Sequence, residues 1–319
     1  MRIVYMGTPE FARLPLVHLA GSRHSVLAVV TGPDKYAGRG HKLVQTPVKQ
    51  EALARGIPVM TPSSLRDESL AESLRLLAAD LFVVIAFRIL PATLFSIPKL
   101  GSINIHGSLL PKYRGAAPIN WALINGEVET GLTSFFLKRE VDTGNVILQV
   151  KTSIADDDTY DSLAEKMSRM AGPFLMDTVD AIEAGRADGI PQDDALATSA
   201  PKLTPFNSMI DWGFPAVNLR NFVRGLCSKP GAYSFFRGMR IKILGCEIAN
   251  EVAEPGIRPG TVLRDKRRLV VACGPGAVEI TRIVPQGKAE MSGAAFVNGF
   301  KPLSEEVFGE IPQGIKEFE

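Results

Sequence analysis

Asn104 and His106 stand two residues apart in the run Ser102-Ile-Asn-Ile-His106, and Gly107 follows at once. An extended chain alternates its side chains, so both project from one face. An amide beside an imidazole makes a compact polar pair that can hydrogen-bond a ligand and exchange protons near neutral pH. The plainer alternative is a histidine satisfied within the fold. Gly107 lets the backbone approach a ligand closely. Asp142 lies in the turn Val141-Asp-Thr-Gly144, where it either bonds its own backbone or serves a partner. Between them, Lys112-Tyr-Arg-Gly-Ala-Ala-Pro118 has the small residues of a tightly packed loop. Its Arg114 is either a surface charge or the anchor of an acidic group.

Other chemistries lack their residues. Met6-Gly7-Thr8-Pro9-Glu10 has one glycine where a dinucleotide loop needs three, which speaks against NAD. Gly38-Arg-Gly-His-Lys-Leu43 does not have the spacing of a phosphate-binding P-loop, and G-x-S-x-G does not occur. The four histidines include no H-x-H or H-E-x-x-H pair, so no metal is expected. Cys227, Cys246 and Cys273 form no C-x-x-C, which fits free thiols in a reducing compartment.

The elements that must position the pair follow from hydrophobic patterning. Strand signals at Ile3–Met6, Val26–Val30, Pro58–Met60, Leu81–Ala86 and Ser102–His106 alternate with helical signals. The first helix is expected to open at Thr8-Pro9, with Thr8 as its cap, and to run to about Ala20. Leu81–Ala86 is apolar throughout, as in a parallel strand covered on both faces. The expected fold is a doubly wound, mostly parallel α/β sheet of Rossmann-like type, whose ligands bind at the carboxyl ends of strands, where His106 lies. Gly131–Leu137 and Val146–Lys151 read as antiparallel additions, and Thr159–Ala184 as a helix stopped by Gly185. Residues 189–208 are rich in Pro, Asp, Ser and Thr and read as a linker. After a helix at Ala216–Leu226, five short strand signals suggest a small OB-like β-barrel. The expected domains are 1–188 and 209–319.

The chain of 319 residues carries a net charge of only +2, so total charge indicates no polyanion partner. The distribution is uneven: residues 206–299 hold 13 Lys/Arg against 7 Asp/Glu. A solvated basic face and a polyanion-binding face both fit that surplus. The opening Met1-Arg2 and short apolar run do not resemble a secretory signal, and no apolar run is long enough to span a membrane. A soluble, cytoplasmic and monomeric protein is expected.

Asn104-x-His106-x-Ser108-Leu-Leu-Pro111, Arg114-Gly-Ala-Ala-Pro118 and Asp142-Thr-Gly144 together resemble the signature of the folate-dependent formyltransferases. Gly7-Thr-Pro-Glu-Phe-Ala12, Pro33-Asp-x-x-Ala-Gly-Arg-Gly-x-Lys-Leu43 with Pro47-Val-Lys49, and Ile210-Asp-Trp212 extend the resemblance, within that family, to the branch acting on an aminoacyl-tRNA. The resemblance implies Asn104, His106 and Asp142 as catalytic residues and residues 1–188 as the catalytic domain. It implies 10-formyltetrahydrofolate as co-substrate, held by Phe87, Arg88, Ile89, Leu90, Ser108, Leu109, Leu110, Pro111, Arg139, Glu140 and Val141. The chemistry suits these residue types. An α-amino group with a pKa near ~8 needs no strong base, whereas the oxyanion on the formyl carbon needs donors, each typically worth ~100- to 1,000-fold in rate. Asn104 and His106 would supply them, and Asp142 would favour the protonated imidazole and relay a proton.

The implied acceptor is the α-amino group of methionine on initiator tRNA. Lys35, Arg39, His41, Lys42 and Lys49 then map onto a loop that wedges into the acceptor arm. Arg237, Arg240, Lys242 and Arg267 would hold the RNA from the second domain. An aminosugar-nucleotide formyltransferase is the rival reading, and a non-catalytic RNA-binding protein a further one. Glycinamide ribonucleotide formyltransferases lack a comparable second domain. Two stretches depart from the family pattern: Ala86-Phe-Arg-Ile-Leu-Pro91 is one residue short, and Cys227-Ser-Lys-Pro230 replaces a commoner Asn-Pro-Trp-Pro.

Overall fold

The computed structural model describes residues 1–37, 42–251, 256–263, 265 and 267–311. The chain forms two compact units. The first comprises Met1–Pro118, Glu129–Ser153 and Ala164–Ala200; the second comprises Ile119–Val128, Ile154–Leu163 and Pro201–Glu319.

The first half of the chain contains β1 (Arg2–Gly7), α1 (Arg13–Ala20), β2 (Ser25–Val30), β3 (Lys35–Ala37), β4 (Lys42–Val44), α2 (Pro47–Ala54) and β5 (Val59–Met60). There follow α3 (Glu68–Leu76), β6 (Leu81–Ile85), α4 (Ala92–Phe95), β7 (Ser102–His106), β8 (Arg114–Gly115), α5 (Pro118–Ile124), β9 (Glu129–Phe136), β10 (Val146–Ser153) and α6 (Tyr160–Glu183). Seven strands make one sheet in the order β10-β9-β7-β6-β1-β2-β5. The strands from β5 to β7 pair in parallel, and β9 and β10 add antiparallel. This is the doubly wound sheet the patterning implies. Every residue of β6 is buried, as its unbroken apolar run requires, whereas the edge strand β10 alternates partly buried and exposed positions.

One helix start differs from expectation. Thr8 caps nothing: Glu10–Ala12 form a single tight turn, and α1 begins only at Arg13. Pro15 has no N–H to give the carbonyl of Phe11, so the regular ladder cannot begin earlier. Phe11 O accepts from the Ser168 hydroxyl instead, and Ala12 O accepts from Tyr5 OH. At the other end of the unit, α6 stops as expected before Gly185, whose φ is +65°. The basic loop contains an unexpected hairpin in which β3 and β4 pair antiparallel, with Tyr36 opposite Leu43.

The remaining elements are β11 (Ser199–Ala200), α7 (Ala216–Leu226), β12 (Ala232–Phe236), β13 (Met239–Ala249), β14 (Val262–Leu263), β15 (Leu269–Ala272), β16 (Ala277–Pro285), β17 (Met291–Ser292) and α8 (Gly293–Phe300). Residues 189–200 are built into the first unit: Ile190 bridges Val146, and β11 pairs in parallel with β8. In the second unit an antiparallel sheet ordered β12-β13-β16-β15-β14, with β17 beside β16, curls into a partial barrel. Register shifts around Gly245 bend β13. Helix α8 was not signalled, because Gly293-Ala-Ala-Phe-Val-Asn-Gly-Phe300 carries two glycines and little periodicity. Its Ser292 cap accepts from Ala295 N, and its buried Phe296 packs edge-on to Phe236 with ring centroids 5.8 Å apart. Among the described residues, no helix is long and apolar enough to cross a membrane.

Candidate active site

β7 ends at His106, beside antiparallel β9, with Asn104 opposite Phe135 and His106 opposite Thr133. His106 is buried, and among the described residues its ring makes one hydrogen bond: Nε2 lies 2.8 Å from the carbonyl oxygen of Tyr113. A carbonyl can only accept, so Nε2 carries the proton and Nδ1 is the nitrogen left for chemistry. The carboxylate Oδ2 of Asp142 lies 3.7 Å from Nδ1. Asp142 itself is placed by backbone geometry. It has φ +58°, and its Oδ2 accepts from Gly115 N–H at 2.8 Å. Asn104 is half-buried, and its side-chain amide has no hydrogen-bond partner among the described residues. The site therefore holds an unused amide donor, an imidazole with one committed nitrogen, and a carboxylate within ion-pair reach of the other.

The loop after the pair is held from below. The Ser108 hydroxyl donates to Lys112 O, and Ser108 O accepts from Thr133 Oγ1. Leu110 N donates to Thr133 Oγ1, while Gln149 Nε2 donates to both Leu110 O and Thr133 Oγ1. Ser108 and Leu110 are buried, and Leu109 and Pro111 are half-buried. In the shortened segment, Ala86 adopts φ +47°, and the Arg88 guanidinium lies 5.3 Å from the Phe87 ring centroid. Arg88 also donates to the carbonyls of Pro62 and Ser63, so its charge braces this edge. Leu90 is buried, Ile89 is exposed, and Arg139, Glu140 and Val141 are exposed beside Asp142.

Arg114 has an acidic partner within its own chain: it donates to Asp194 Oδ1 at 2.7 Å and twice to Gln192 Oε1. Gln192 Nε2 in turn donates to the carbonyls of Asp142 and Gly144, both at 2.8 Å. Thr133, Gln149 and Gln192 escaped the sequence reading. A threonine and a glutamine in strands carry no signal of what they hold, and Gln192 lies in a stretch without periodicity.

The nucleic-acid candidates are less concentrated. Arg39 and His41 lie outside the described residues, as does the side chain of Lys42. Lys35 is exposed, whereas Lys49 Nζ is held 2.8 Å from both carboxylate oxygens of Asp34. In the second unit, Arg237 is paired with Glu306, which holds the Glu306 carboxyl below its usual range. Arg240 stacks 3.8 Å from the Tyr233 ring centroid, Lys242 donates to Pro230 O, and Arg267 is exposed. Among the described residues, one other cluster, His24 with Asp180 and Glu183, brings three potential metal ligands within 4.8 Å of one another. Arg23 already pairs with both of its carboxylates.

The family described as formyl transferase matches residues 1–179, and its C-terminal domain matches residues 202–301. Among curated relatives, the methionyl-tRNA formyltransferase of Moorella thermoacetica is 42% identical over 311 residues, covering 97% of this chain and 99% of its own. That of Bacteroides fragilis is 42% identical over 94% of this chain and 95% of its own. Among solved structures, the N-formyltransferase of Helicobacter canadensis superposes with TM-score 0.66 at 20% identity, over 87% of this chain and 98% of that one. HypX of Aquifex aeolicus, solved with tetrahydrofolic acid, gives TM-score 0.65 at 17% identity, over all of this chain and 50% of that one.

Proposed function

The chain belongs to the formyl transferase family, and from that premise we infer that it moves the formyl group of 10-formyltetrahydrofolate to the α-amino group of methionine on initiator tRNA. The carrying observation is 42% identity, over nearly the whole of both chains, to relatives named for that reaction. The rival aminosugar substrate rests only on fold-level likeness below 25% identity.

The geometry supports a division of labour. The attacking amine has a pKa near ~8 and needs little activation. The Asn104 amide, unpartnered among the described residues, donates to the oxygen of the formyl group as attack gives it negative charge. His106 adds a second donor at Nδ1 only when doubly protonated, because Nε2–H is committed to Tyr113 O. Asp142, 3.7 Å from Nδ1, stabilises that charged ring. The proton leaving the amine passes to Asp142 or a water beside it, and His106 returns one as the C–N bond to the folate N10 breaks. The apolar Leu90, Leu109 and Leu110, with Phe87, Ile89 and Val141, suit the flat ring system of a folate. Arg139 and Glu140, exposed in the residues before Asp142, would offer polar contacts to the folate. On the RNA side, exposed Lys35 and Arg267 are available for phosphate, with Arg39, His41 and Lys42 in the segment that includes the start of β4. Lys49 is tied to Asp34.

The test offers 10-formyltetrahydrofolate with charged initiator tRNA, an aminosugar nucleotide and glycinamide ribonucleotide in parallel. Formylation of the tRNA-borne methionine alone is expected. Preferential formylation of either small acceptor overturns the assignment.

A further inference from the structure

We propose that Gln192, in the segment between α6 and β11, is a positioning residue that sets the Asp142 carboxylate against His106; this rests on the catalytic reading of Asp142. A single side-chain amide there uses all its hydrogen-bonding capacity. Its two N–H groups reach Asp142 O and Gly144 O at 2.8 Å each. Its oxygen accepts from Arg114 Nη2 at 2.7 Å and from Arg114 Nε at 3.0 Å. The amide has only one satisfying orientation, since a flip would set its oxygen against two carbonyls and its N–H groups against a guanidinium.

The contacts close a ring. Arg114 orients Gln192, Gln192 grips the backbone on both sides of Thr143, and the Asp142 side chain returns to Gly115 N–H, the residue after Arg114. β11 fixes the same two residues from its other side, Ser199 pairing with Arg114 and Ala200 with Gly115. The turn gains from being held because Asp142 sits at φ +58°, a left-handed conformation that aspartate visits more readily than most L-residues but that still competes with ordinary backbone angles. Released from Gln192, the turn can relax toward ordinary backbone angles and carry the carboxylate away from Nδ1. Asn104, by contrast, lies within β7 and gains nothing from the ring.

The experiment is a double-mutant cycle in single-turnover formyl transfer, with KM for each substrate and thermal unfolding measured alongside. Gln192→Met removes both halves of the amide's function. Gln192→Glu keeps the acceptor for Arg114 but turns a carboxylate oxygen toward the carbonyls of Asp142 and Gly144. Both variants are expected to lower kcat about 10-fold or more, with KM for folate and tRNA changed less than about threefold. In an Asp142→Asn background, either Gln192 change should cost less than about threefold further, because the carboxylate it positions is already gone. Turnover of both single Gln192 variants near wild type overturns the proposal. So does a full additional loss in the Asp142→Asn background, which would mean that Gln192 acts elsewhere. Undiminished turnover of Asp142→Asn alone would instead sink the catalytic reading, a result distinct from either. If Gln192→Met does not fold, the Gln192→Glu cycle decides between the same outcomes.

Discussion

Asp142→Asn is the change whose size the structure best defines. Asparagine is nearly isosteric, tolerates the left-handed backbone that Asp142 adopts, and keeps an oxygen for the Gly115 N–H. What it removes is one negative charge 3.7 Å from Nδ1 of His106. At an effective dielectric near 20, a unit charge pair at that distance is worth about 4 kcal/mol. Both side chains are largely shielded, 7% and 11% exposed, so that dielectric fits better than the bulk-water value. If the imidazolium must form for His106 to donate at Nδ1, up to about a thousandfold of rate depends on this charge. Some will be recovered by water entering the gap, so a loss of about 100- to 1,000-fold in kcat is expected. Single-turnover formylation with both substrates saturating measures the effect, and thermal unfolding should show a change of no more than about 1 kcal/mol in stability. A variant that keeps wild-type kcat, or whose lost activity is matched by unfolding at the assay temperature, would refute this reasoning.

Three further outcomes are expected. Gly144→Ala should destabilise the first unit by about 2–3 kcal/mol and depress activity, because a Cβ there would collide with the backbone oxygen of Phe136; chemical denaturation measures it. Cys246 and Cys273, whose thiols burial pushes up to about 12 and about 11, should stay protonated and unreactive toward a thiol reagent at pH ~8 until the chain unfolds. Arg39→Ala should raise KM for tRNA and reduce the steepness of its salt dependence by about one phosphate's worth, leaving KM for folate unchanged; titrations at several salt concentrations check this.

The parallel sheet was legible because burial on both faces demands an unbroken apolar run, which Leu81–Ile85 supplies before the exposed Ala86, and the polar pair because Asn104 and His106 stand two apart at a strand end. Asp142 was legible only through its motif, since an aspartate before Thr-Gly looks like any turn residue. What could not be read were contacts between segments distant in sequence. Gln192 reaches Asp142 across 50 positions, and Gln149 reaches Leu110 across 39. A side chain that spends its hydrogen bonds on another segment's backbone leaves no periodicity behind. The delayed start of α1 was a local failure of another kind, since Pro15 overrode the favourable Thr8-Pro9 signal. Composition also does not reveal that Lys49, Arg237 and Lys242 each hold an internal partner.

The most direct measurement replaces His106 with alanine and follows a labelled formyl group from 10-formyltetrahydrofolate onto methionyl initiator tRNA in a single turnover. Transfer by the native protein is expected, with a rate at least ~100-fold lower in the variant while folate still binds and the fold stays intact. Equal rates in the two proteins would contradict it.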